Sequence, residues 1–370
     1  MTRIAYATMR DVDLAIVELD ATVAELIELG IEPVPLVAEA AEPGLEVVNV
    51  GVPVRDLPHE DWVARRGECT VREAVTVLEG EWTWRGALAN DCPGIIQGSS
   101  GSPLLTAGGV VGVINTTSFA GLVRGGECAL NNPCEAGADV RVVPDTSYAS
   151  PVAGLGNCFA DGVFELSEAC PLPRPRDLEV SSAVPAVTLA GVEAGRRLDV
   201  TVLSAAPREV RHGVVPVTDP EGCDAEAAYT EVATVAPGDT AGDGLIQPTV
   251  PVTLPPVEGR YWWCVTSGSA AEASRVLVHV DGTPPVLPPR LVVEDNGGMF
   301  WVTPAFVHPE LSGSLLKWGE PGLDCDDRDG YRMFLSVPVV IEESELPVEF
   351  CLISSDLAGN EAPVVRTTID

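Results

Sequence analysis

Ten cysteines stand singly along the 370 residues, from Cys69 to Cys351. Their number is even, no C-x-x-C pair occurs, and only four histidines are present. Zinc-site spacing is therefore missing, and paired disulfides in an oxidising compartment are expected: extracellular, cell-surface or periplasmic. Along the chain run short Val/Leu/Ile/Thr segments broken by 36 glycines and 32 prolines, the punctuation of strands and turns, so the expected fold class is all-β. No apolar run approaches the ~20 residues of a spanning helix, so the chain is not expected to be membrane-spanning. The formal charge is -33, from 55 acidic and 22 basic residues spread along the chain. Such a surface repels phosphate backbones and anionic lipid, which weighs against a nucleic-acid partner.

The chain divides at proline clusters. Pro171-Leu172-Pro173-Arg174-Pro175-Arg176 is a stiff linker by composition, and Pro284-Pro285 with Pro288-Pro289 opens another unit. Three domains are expected: 1–172, 178–281 and 287–370. The second carries short alternating runs, Leu189 onward, Leu198–Leu203, Arg260–Val265 and Val276–Val280, a β-sandwich pattern. The third repeats its landmarks. Cys223 lies six residues before Tyr229 and Cys325 six before Tyr331; a Leu-Pro segment with Val-Glu precedes Cys264 and Cys351 alike. That order suggests bridges Cys223–Cys264 and Cys325–Cys351, each worth roughly 2–4 kcal/mol. The six remaining cysteines allow 15 connectivities. Nearest-neighbour pairing gives Cys69–Cys92, Cys128–Cys134 and Cys158–Cys170. Asp324-Cys325-Asp326-Asp327-Arg328-Asp329-Gly330 invites a calcium reading, but Cys325 and Ser336 fill the first and last ligand positions of the EF-hand template. An acidic hairpin turn is expected there, with no metal.

The first domain is organised around Gly98-Ser99-Ser100-Gly101-Ser102-Pro103, followed by a Gly turn and the apolar run Val110–Ile114. A serine among small residues in a tight turn can expose a hydroxyl beside bare N–H groups, as acyl transfer requires; a plain Gly/Ser turn is the alternative. The strand-to-helix serine elbow does not fit, because Ser102 replaces its second glycine and a strand follows. Upstream, residues 12–19 read as a buried strand, with Asp20 capping a helix from Ala21 to Leu29 that Gly30 stops. Residues 44–54, 69–78 and 81–88 read as strands, with Trp82 and Trp84 on one core-facing side.

Gly-x-Ser-Gly-Ser-Pro with its following strand resembles the nucleophile region of chymotrypsin-fold (trypsin-like) serine proteases, in the bacterial Ser-Gly-Ser-Pro form. Asp13-Leu14-Ala15-Ile16-Val17-Glu18-Leu19 resembles the strand carrying that family's triad aspartate. The resemblance covers residues 1–170. It implies Ser100 as nucleophile, the Gly98 and Ser100 N–H groups as oxyanion hole, and Asp13 as triad acid, with Asp11 its near competitor. It implies substrate contacts at Gly94, Gln97, Asn115, Thr116 and Thr117. Ser99 replaces the aspartate of the digestive-type activation switch, and no charge at Gly94 supports an Arg/Lys preference. The fold implied is a partial two-barrel protease domain followed by two immunoglobulin- or fibronectin-like sandwiches. The family histidine should precede Asp13, yet residues 1–12 hold none. The only histidine in this half is His59, in a region read as a surface loop. The expected function is a secreted or surface serine endopeptidase acting on peptide or protein substrates through an acyl-enzyme, without a cofactor. It is represented here by a fragment beginning late and lacking the histidine. The alternative is an inactive homologue that binds or adheres, its sandwiches holding a surface ligand. Abundant Ala, Val, Gly and Pro with a single lysine, Lys317, is a usage associated with GC-rich bacterial genes.

Overall fold

The computed structural model describes residues 3–54, 57–80, 82–118, 128–137, 139–174, 178–181, 186–204, 207–219, 221–235, 249–270, 273–305, 311–335 and 337–370. The chain opens on an antiparallel hairpin, β1 (Arg3–Thr8) and β2 (Leu14–Glu18), followed by the short helix α1 (Val23–Glu28). Thr22, not Asp20, caps the helix. Its side chain accepts from the Glu25 N–H while Glu25 answers the Thr22 N–H, a capping box that satisfies two otherwise orphaned donors. β2 is not the buried strand its sequence suggests. Leu14 is buried among Val152, Leu155 and Leu172, whereas Val17 is 43% exposed and α1 buries no residue.

A closed six-stranded antiparallel barrel follows. Its strands are β3 (Glu46–Gly51), β4 (Arg65–Glu79), β5 (Trp82–Asn90), β6 (Pro103–Thr106), β7 (Gly109–Thr117) and β9 (Ser147–Pro151). β3-β4-β5 and β6-β7-β9 are two meanders. They join where β5 pairs with β9 and β3 with β6, so no barrel strand is left as an edge. The 15-residue β4 shifts register at Val71/Glu73 and Val75/Val77, the irregularities that bend a long strand round a closed wall. A short β8 (Cys134–Ala136) extends β4. The interior holds Val47, Val71, Leu88, Leu104 and Ile114. Trp84 is buried and stacks on Trp82, as the core reading of that pair anticipates. A small hairpin, β10 (Phe159–Ala160) and β11 (Val163–Phe164), leads to the linker.

Two β-sandwiches complete the chain. The first packs β12 (Leu178–Ser181), β14 (Leu198–Ser204) and β17 (Thr249–Val252) against a five-stranded sheet. That sheet contains β13 (Ala186–Thr188), β15 (Arg208–Pro216), β16 (Glu231–Val235), β18 (Gly259–Thr266) and β19 (Ser274–Asp281). Leu189–Glu193, read from sequence as the start of a strand run, is the helical turn α2, with Thr188 capping it through the Gly191 N–H. The second sandwich packs β20 (Arg290–Asp295), β21 (Met299–Ala305) and β24 (Val339–Glu342) on one side. Against them lie β22 (Gly313–Gly319), β23 (Arg332–Met333), β25 (Val348–Ser355) and β26 (Val365–Ile369). Its core centres on Val302, Leu316, Phe350 and Leu352.

The barrel and first sandwich share a core. Neighbouring residues on a strand face opposite ways. Trp263 enters the sandwich interior, where its indole N–H donates to His212 Nδ1 at 3.3 Å. Trp262 turns outward onto Leu78, Cys128 and Cys134 of the barrel. The apolar run through Trp262 and Val265 is continuous because both faces of β18 are covered.

All ten cysteines are paired, as Cys69–Cys92, Cys128–Cys134, Cys158–Cys170, Cys223–Cys264 and Cys325–Cys351, matching the nearest-neighbour and repeat arguments. The repeat extends to its tyrosines. The Tyr229 hydroxyl donates to Cys223 O at 2.7 Å, and the Tyr331 hydroxyl to Cys325 O at 2.8 Å.

Candidate functional site

The Ser100 turn is held entirely by its neighbours. The Ser99 N–H donates to Ile96 O at 2.9 Å, and Ser99 Oγ accepts from the Ile96 N–H at 3.3 Å. Downstream, the Gly101 N–H donates to Ile114 O and the Ile114 N–H to Ser102 O, both at 2.8 Å. Buried Asn49 braces the strand start by donating to Ser102 Oγ at 2.8 Å. Gly98 has φ +97, and a Cβ there would lie 2.7 Å from Val54 Cγ2, so both conformation and space demand glycine. Ser100 is exposed, and its hydroxyl donates to Asn115 O at 3.2 Å. Among the described residues neither the Gly98 nor the Ser100 N–H has an acceptor.

Asp13 is held by the neighbouring strand, β9. Its carbonyl accepts from Ser150 Oγ at 2.7 Å, and Ser150 lies opposite Val113 in the β7–β9 ladder. Val113 and Asn115 are two residues apart, roughly 7 Å of strand. Ser100 is thus anchored to β7 at Asn115, and the Asp13 backbone to β9 at Ser150, on adjacent strands of the barrel. Burial pushes the Asp13 carboxyl up from its ordinary value. Asp11 is committed elsewhere. It has φ +58, its carbonyl accepts from the Arg85 N–H, and its carboxylate pairs with Arg275 at 3.5 Å.

The expected substrate residues divide. Asn115 and Thr116 are half-buried on β7 beside Ser100. Thr117 is buried, and its hydroxyl donates to Thr146 O and accepts from Ser147 Oγ. Gln97 is exposed, with its carbonyl taken by the Val54 N–H. Gly94 is exposed at φ +74, with no atom near its Cβ position.

Sequence reading missed Glu79, indistinguishable there among 55 acids. It is 2% exposed; one carboxylate oxygen accepts from the Asn131 N–H at 2.6 Å, and the other is buried on the side of Thr116 with no hydrogen bond of normal geometry among the described residues. Burial pushes its carboxyl up, and the nearby charge of Asp13 adds to the rise.

No histidine bonds to Ser100 or Asp13 among the described residues. His59 is exposed in a 3-10 turn against Trp62, and His212 accepts from Trp263. His279 lies on β19. His308 lies outside the described residues. In the acidic turn near Cys325, the Lys317 ammonium donates to the Asp324 and Asp327 carbonyls, each at 3.0 Å. Among the described residues no cluster of three or more His, Cys, Asp or Glu is placed to hold a metal, and no helix is long and apolar enough to cross a membrane.

No family model matches the chain, and no curated protein matches it. Solved structures similar to it are fibronectin(III)- or immunoglobulin-like β-sandwich modules. Fibronectin(III)-like modules of Clostridium thermocellum CbhA are 11% identical, covering 52% of this chain and 92% of that one at a TM-score of 0.26. The human OSCAR ligand-binding domain is 14% identical, covering 51% and 96% at 0.29. The FN1–FN3 domains of chicken CNTN1 are 7% identical, covering 90% of each chain at 0.28.

Proposed function

We propose that the barrel with its N-terminal hairpin is the acyl-transfer half of an exported chymotrypsin-like serine endopeptidase. The observation that carries the reading is the exposed Ser100 hydroxyl flanked by two N–H groups, those of Gly98 and Ser100, that have no acceptor among the described residues. Ser100 attacks the peptide carbonyl, and the two N–H groups hold the oxyanion in a site that needs no reorganisation. Asp13 orients the imidazole that takes the serine proton. Asn115 and Thr116 lie where an extended peptide would run beside the nucleophile. The closed barrel of two three-strand meanders supports the reading, as do the five disulfides, which suit an oxidising compartment. Among the described histidines, none of His59, His212 and His279 bonds to Ser100 or Asp13, so little peptide hydrolysis is expected from these alone.

A second reading is favoured by that same gap. With Ser100 bonded to Asn115 O and no described histidine bonded to it, the barrel and sandwiches would serve as a binding or adhesion surface. A fluorophosphonate probe separates the two. It is applied to the protein translated in frame from the gene upstream of Met1, and to its Ser100→Ala variant. Labelling that disappears in the variant supports the protease. A folded, extended protein that contains an upstream histidine and does not label overturns it.

A further inference from the structure

β20 is an edge of the second sandwich, with β21 on one side and no strand paired on the other among the described residues. The turn joining the two strands, Asn296-Gly297-Gly298-Met299, has both glycines at positive φ. Its closing pair is hydrogen-bonded, the Asn296 N–H donating to Met299 O at 2.9 Å. Bonded and non-bonded pairs alternate along an antiparallel ladder, so Glu294, Val292 and Arg290 turn their N–H and C=O groups toward β21. Leu291 and Val293 turn theirs to the open edge. Pro304, which has no N–H, stands opposite Leu291, as a non-bonded pair allows. Among the described residues nothing bonds to the Leu291 or Val293 backbone across that edge.

Sheets blunt such an edge with lysine, proline or a bulge. β20 contains neither residue, and its register against β21 is unbroken. Its side chains are uncovered on both faces, Val292 being 40% and Val293 38% exposed. Arg290 and Glu294 are exposed as well, and neither side chain has an ion-pair or hydrogen-bond partner among the described residues. The segment Arg290-Leu291-Val292-Val293-Glu294 is complementary to its own reverse. Laid antiparallel on a second copy, Arg290 faces Glu294, Leu291 faces Val293, and Val292 faces itself. The hydrogen-bonded pairs of that register are Leu291 with Val293, the residues whose backbone groups are free. On the outer face an Arg–Glu pair flanks the Val292 contact at each end, the kind of cross-strand pairing that fixes register. The chain's charge of -33 opposes self-association over most of the surface, but along this strip each acid meets a base.

We propose that β20 is a dimer edge. It pairs antiparallel with β20 of a second copy about a two-fold axis at Val292, and the two three-stranded sheets become one continuous sheet. The interface does not depend on the protease reading, since β20 belongs to a different domain from Ser100 and Asp13.

Sedimentation velocity of the full 370-residue chain tests it. Between about 1 µM and about 500 µM it should show a monomer–dimer equilibrium, a weak one because a single strand pair buries little area. Arg290→Glu and Glu294→Arg each set like charges opposite one another at both ends of the strip. Each should raise the dimer dissociation constant at least about tenfold. An equimolar mixture of the two variants should regain the dimer, because acid then meets base between unlike chains. Val292→Cys should cross-link to itself under mild oxidation, and Glu294→Cys should not. Because all three side chains are exposed, every variant should keep the parent melting temperature, so loss of the dimer is not loss of fold. A monomer at every concentration overturns the proposal, and so does a monomer that takes up an unrelated extended peptide at this edge. A dimer indifferent to both charge variants places the interface elsewhere and overturns it too.

Discussion

Arg85 on β5 of the barrel donates to the Asp224 carboxylate of the first sandwich at 2.9 Å, and Arg275 on β19 donates to the same carboxylate at 2.5 Å. One acid thus joins two cations across the seam. The Arg275 side chain is only 4% exposed, and its remaining acid, Asp11, is 3.5 Å away. Asp224→Ala should destabilise by about 3 kcal/mol, at the low end for stranding a buried charge, because Asp224 is itself a third exposed. Thermal unfolding should also broaden or split as the barrel and sandwich lose coupling. A melting curve superimposable on that of the parent would contradict the bridging role.

At the nucleophile turn, Gly98→Ala should cost about 1–3 kcal/mol. It combines a left-handed backbone with a Cβ driven against Val54. Ser100→Ala should leave the melting temperature within a degree or two, since it removes one exposed hydrogen bond to Asn115 O. Differential scanning calorimetry on both variants distinguishes the glycine's architectural part from the serine's chemical one.

Two desolvated titrating groups, one half-buried and one buried, pull stability in opposite directions with pH. Burial depresses His279 to about 4. The unfolded chain therefore binds a proton below its ordinary value near 6.5 while the folded chain does not. Stability should fall as pH drops from 6.5 to 4, by roughly 3 kcal/mol from this group. His279→Gln should flatten that limb in urea titrations. Glu79 has the reverse sign. Its folded carboxyl holds its proton to higher pH than the unfolded one, so its contribution is present at low pH and lost as pH rises through the raised value. Glu79→Gln should raise the melting temperature at pH 8 and change little at pH 4.

The bridge Cys223–Cys264 closes a sequence separation of 41 residues, against 26 for Cys325–Cys351. Loop-closure entropy gives about 4 and about 3.5 kcal/mol respectively. Alanine pairs replacing each bridge should lower stability in that order. Equal melting temperatures in mild reductant and oxidant would show that the bridges add nothing.

The disulfides were readable because pairing followed chain order and a repeated Cys-to-Tyr interval, which the Tyr229 and Tyr331 hydrogen bonds explain. The barrel strands were readable because β-rich runs met turns of Gly and Pro. Local competition was harder to see. Thr22 outranks Asp20 as a cap because only Thr22 has Glu25 three residues on, and Leu189 enters a helical turn because Thr188 can cap it. The role of Asp11 was hidden, since its partner Arg275 lies 264 residues away. Glu79 was hidden for the same reason: burial is a property of the packed chain, and nothing local to it sets it apart.

The outward turn of Trp262 has a consequence for anyone dividing this protein into pieces. The Pro-rich segment at 171–176 invites a cut, but a cut there would release two fragments with raw, greasy faces, Leu78 with its neighbouring disulfide on one and an uncovered tryptophan on the other. Each should precipitate or cling to the other when expressed alone. Both should dissolve when made together, so the smallest soluble unit spans the barrel and the first sandwich.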